Sequence, residues 1–136
     1  MKRTQEQTAR AIFQIKSAEE TPFSEAPGAP KLSRGHYVLA YQGDLRGEGI
    51  LEELKVQFSE KRASMSGLQR FTGELGDLSG TFAMSHTGKF INGVVTAKCT
   101  VIPASATGGL KGLRGEMTLQ AIPGKEFTLT FHYRFA

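Results

Sequence analysis

Cysteine occurs once in the 136 residues, at Cys99, and tryptophan does not occur. A lone thiol excludes an intramolecular disulfide and fits a reducing compartment. No stretch reaches the ~18 apolar residues of a membrane-spanning helix. The start, MKRTQEQTARAIF, is basic, but no apolar run of signal-peptide length follows it. The expectation is a soluble, cytoplasmic protein without a membrane partner. The net charge is +4, yet the basic residues are spread along the chain, with knots only at Lys2-Arg3 and Lys61-Arg62. A nucleic-acid binder concentrates such charge on a stripe, so a nucleic-acid partner is not expected.

Motifs for several chemistries are missing too. No HExxH spacing supports a metal site built on His36, His86 and His132, and no metal or cofactor is expected. SATGGLKGLRGEM (105–117) is glycine-rich, but Lys111 is followed by Gly112 and Leu113 where a phosphate loop needs Ser or Thr. No Ser-His-Asp arrangement is evident. The sequence identifies no base or activating environment for Cys99 as a nucleophile, and it reads as a small buried apolar group.

Glycine is plentiful, with sixteen residues, and alternation of period two recurs throughout. The last segment is the clearest. Phe127, Leu129, Phe131, Tyr133 and Phe135 alternate with Glu126, Thr128, Thr130, His132 and Arg134, which puts the apolar side chains on one face of a strand. Shorter alternations run through Ala11–Ile15, Leu32–Gly43, Ile50–Phe58, 63–75, Phe82–His86, Val95–Val101 and Met117–Ala121. Residues 21–31, with three prolines, read as a loop, and GDLRGEG (43–49) as a turn or bulged corner. In 105–117, Leu110 and Leu113 lie three apart and predict a compact turn that caps one end of the fold. Together these signals predict one all-β domain spanning 1–136, an eight-stranded antiparallel β-barrel, with a two-sheet sandwich as the alternative.

GLQRFTGELGDLSGTFAMSHTGKF (67–90) and TVIPASATGGLKGLRGE (100–116), with GAPKLSRG (28–35) and GDLRGEG (43–49), resemble the bacterial family known as domain of unknown function 3224. That family is similar in fold to the small barrels of allene oxide cyclases and dirigent-type proteins. The resemblance implies a barrel and a homodimer, and no established reaction. Gln69 stands where the family pattern has Glu, and Cys99 where it has a large aromatic.

The polar residues on apolar parities are the candidate site. Glu52 lies between Ile50 and Leu54, Gln69 between Gly67 and Phe71, and His86 follows Phe82 and Met84. A carboxylate facing a core needs a partner or a purpose. An unperturbed histidine has a pKa near neutrality, so His86 suits acid–base work or a plain hydrogen bond. The expected lumen site comprises Tyr37, Tyr41, Glu52, Gln69, Phe82, Met84, His86 and Phe127, taking a small, largely apolar ligand. Two alternatives stay open. One is a cofactor-free isomerase or cyclase, as the allene oxide cyclase likeness suggests. The other is a packed barrel that acts through its outer or dimer surface.

Overall fold

In the computed structural model, residues 5–136 are described; the Lys2-Arg3 knot lies outside them. Eight strands follow in chain order: β1 (Gln7–Ser24), β2 (Lys31–Gly43), β3 (Leu45–Ser59), β4 (Arg62–Leu75), β5 (Leu78–Ile91), β6 (Val94–Val101), β7 (Leu113–Ala121) and β8 (Phe127–Phe135). Each pairs antiparallel with the next, and β1 pairs with β8, so the sheet closes into a barrel. Closure satisfies the edge hydrogen bonds that an open sheet would leave exposed. The sandwich alternative is thereby excluded.

The interior follows the alternation of each strand. Leu129 and Phe131 of β8, Ala97, Cys99 and Val101 of β6, and Met65, Phe71 and Leu75 of β4 are all buried. A continuous chain of rings runs from Phe127 and Phe13 through Tyr41, Phe71, Phe82 and Phe131 to Tyr133 and Phe135, and fills the half of the barrel that holds Phe71, Phe82 and Phe131. Successive centroids lie between 5.1 and 6.1 Å apart, in the range of favourable offset and edge contacts. A single 3-10 turn, Gly108–Leu110, closes that end. Leu110 and Leu113 are both buried there, although Leu113 already begins β7, and Lys111 is exposed.

Three expectations are corrected. Residues 21–24 are strand, not loop, because β1 runs on to Ser24 against β2 with a register shift between Pro22 and Ser24. β8 pairs only with Gln7–Phe13, so the far end of β1 is an edge, and an edge or bulge tolerates the missing N–H of Pro22. Of 43–49 only Asp44 is a bend, and 45–49 belong to β3. The third concerns the facing of β3. Leu45, Leu51 and Glu53 point inward, while Leu54 and Phe58 are 51% and 44% exposed on the outside. Glu52 therefore faces out, and the carboxylate facing in is Glu53.

Phe82→Ala should lower stability by about 3–5 kcal/mol, read as a fall in the urea midpoint. Leu68→Ala, at a side chain 59% exposed, should change it by no more than about 0.5 kcal/mol. Comparable losses at the two positions would show that the ring chain is not the stabilising core.

Candidate functional site

Above the packed rings the barrel is hollow. A cavity of about 200 Å³ is lined by Phe13, Leu39, Leu51, Met65, Ala97 and Leu119, with Glu53 and His86 as its buried polar groups. The partly exposed Tyr37, Lys55, Phe90, Val95 and Ala121 mark its mouth.

The polar groups meet because register places them in one row. Glu53 of β3 pairs with Gly67 of β4, Gly67 with His86 of β5, and His86 with Cys99 of β6. Gly67 has no side chain between its neighbours, so the Glu53 carboxylate spans a whole strand to His86. Glu53 Oε2 lies 3.3 Å from His86 Nε2, with both side chains at least nine-tenths buried. A side chain on Gly67 would also run into the Glu52 backbone carbonyl. On the other flank, Glu53 pairs with Gly35, whose bare backbone is covered by the Tyr37 ring; a Cβ there would sit 2.5 Å from that ring.

His86 Nδ1 lies 3.2 Å from Cys99 Sγ. Burial, aided by the negative charge of Glu53, pushes the Cys99 thiol up to about 12. The thiol is therefore protonated at neutral pH and shares a hydrogen bond with the imidazole, whose Nε2 faces Glu53. The order thiol–imidazole–carboxylate is that of a nucleophilic triad. Full burial and the raised thiol remove its nucleophile. Glu53 and Cys99 occupy opposite ring nitrogens, so the three do not converge on one metal, and no metal-holding cluster occurs among the described residues.

At the mouth, Glu20 of β1 accepts from Ser33 and Tyr37, each at 3.3 Å, and pairs with Lys55 at 2.5 Å. Burial raises the Glu20 carboxyl, but the Lys55 hydrogen bond and charge, with Ser33 and Tyr37, more than offset this and hold it below its ordinary value. The Tyr37 hydroxyl is pushed well up by burial and by the charges of Glu53 and Glu20.

The eight expected residues separate. Tyr37 and His86 line the cavity. Tyr41 and Gln69 lie deeper, where the tyrosine hydroxyl donates to Gln69 Oε1 and Gln69 Nε2 has no partner among the described residues. Phe82 and Met84 are sealed within the packed core. Phe127 is half-buried at a rim against Phe13. Glu52 is outside, 2.7 Å from His36 Nδ1. Glu53, Lys55 and Glu20 went unnoticed, and the glycines at 47, 49 and 67 were the overlooked sign, since they share the inward parity of Glu53 or lie beside it.

A family model described as "Protein of unknown function (DUF3224)" matches residues 9–133. The chain belongs to the DUF3224 family. A crystal structure of a DUF3224 protein of unknown function from Shewanella oneidensis MR-1 superposes with a TM-score of 0.75. It is 22% identical and 98% of each chain is covered, which supports the DUF3224 barrel and nothing about activity. No curated protein matches.

Two outcomes follow from this DUF3224 site. Cys99 should resist alkylation in the native protein near neutral pH and react only after denaturation; fast native labelling would contradict a buried, protonated thiol. Glu20 has a lowered folded-state pKa, so its contribution is complete above its ordinary 4.5 and is lost as pH falls through the folded value. Lys55→Met should flatten that acid limb in denaturant titrations; an unchanged limb would remove the pair from it.

Proposed function

We propose that the protein binds a small, largely apolar molecule in the open half of its barrel. The supporting observation is the cavity of about 200 Å³, walled by aliphatic and aromatic side chains around one buried polar pair. Such a lining with few convergent polar groups is the usual form of a ligand site. The wall supplies hydrophobic affinity, and Glu53 with His86 gives orientation. The paired Glu20 and Lys55 at the mouth keep a hydrated entrance beside an apolar interior.

Benzene titrated into methyl-labelled protein should shift Leu39, Leu51, Met65 and Leu119 while leaving Leu45, Leu75 and Leu110 in place. Ala121→Phe should block the entry and abolish the shifts. Uniform shifts across both groups, or none, would sink the lumen as a binding site.

A further inference from the structure

We infer that the ligand is a ring-sized amine whose ammonium group docks on Glu53 while its ring fills the apolar cavity, a reading that rests on the lumen as the binding site. Size comes first. An apolar cavity of about 150 Å³ in another protein accepts benzene. The space here, about 200 Å³, suits one ring with a short arm.

Charge decides the polar group. Glu53 Oε2 faces His86 Nε2, and Oε1 has no partner among the described residues. Oε1 is not sealed off by its neighbours, and Glu53 lines the cavity. His86 stands between two groups, with Cys99 Sγ 3.2 Å from Nδ1 and Glu53 Oε2 3.3 Å from Nε2. The imidazole thus reaches one oxygen of the Glu53 carboxylate and leaves the other free. The cation in the cavity wall, Lys55, is engaged with Glu20 at the mouth. A buried carboxylate is costly without a cationic partner. An ammonium on the free oxygen supplies that partner, and the rings of Phe13, Tyr37 and Phe90 offer faces that favour a cation over an anion.

Benzylamine, benzyl alcohol, toluene and benzoate share one ring and differ in the polar group. Calorimetry on the wild-type chain should find benzylamine bound at least about tenfold tighter than toluene or benzyl alcohol, the scale of one charge-assisted hydrogen bond. Benzoate should not bind. Glu53→Gln should lose the preference for benzylamine and keep toluene. Toluene or benzyl alcohol binding as tightly as benzylamine, or benzoate binding best, would overturn the amine reading and leave the lumen as the site. A preference that survives Glu53→Gln would overturn it too. Binding of none of the four would overturn both readings. The wild-type series decides the matter by itself if the variant does not fold.

Discussion

The seam between β1 and β8 is the constraint on which the rest depends. Gln7–Phe13 pair with Phe127–Tyr133, and this one ladder turns a sheet into a ring. Once the ring is closed, strand registers are mutually fixed, because a slip in any ladder would turn a strand's side chains over. The row Glu53, Gly67, His86, Cys99, Met117 and Phe131 then crosses five neighbouring ladders inside the barrel. The contact between Glu53 and His86 is a product of that closure as much as of the two residues.

The same row marks where the interior changes character. On one side, rings interlock and Leu45, Leu110 and Leu113 plug the end. On the other, aliphatic side chains stand back from one another around empty space. A hollow half forgoes packing contacts that a filled one would have, and a buried carboxylate adds a desolvation cost. The packed half offsets both. Natural proteins tolerate such local losses where a site needs them.

The barrel was legible because its strongest strands state their facing without ambiguity. In β8 every second residue from Phe127 to Phe135 is aromatic or leucine, and Val95–Val101 reads the same way. β3 misleads for a physical reason. Its outer face carries Ile50, Leu54, Val56 and Phe58, while its inner face has two leucines, Leu45 and Leu51, among Gly47, Gly49, Glu53 and Lys55. Apolar alternation identifies the buried face only where the outside is polar, and here the outside is the more apolar. Glu52 and Glu53 are chemically identical neighbours, so the error exchanged one for the other. His86 was found because β5 obeys the simple rule. Its partners were not, since cross-strand register is a property of the closed ring and not of any one segment. The long reach of β1 was hidden by Pro22, which weighs against a strand only where both flanks must be bonded.

That reach has a consequence for the mechanics of the rim. Beyond Phe13, β1 is bonded to β2 alone, and Glu20 is carried on this one-sided stretch. Parting it from its neighbour breaks a single ladder at its open end, together with the Glu20 contacts to Lys55, Ser33 and Tyr37. The seam and the ring chain lie elsewhere and need not move. The rim and the scaffold are thus mechanically separate: the chain can loosen its rim by fraying a strand tip while the ring that sets every register stays shut.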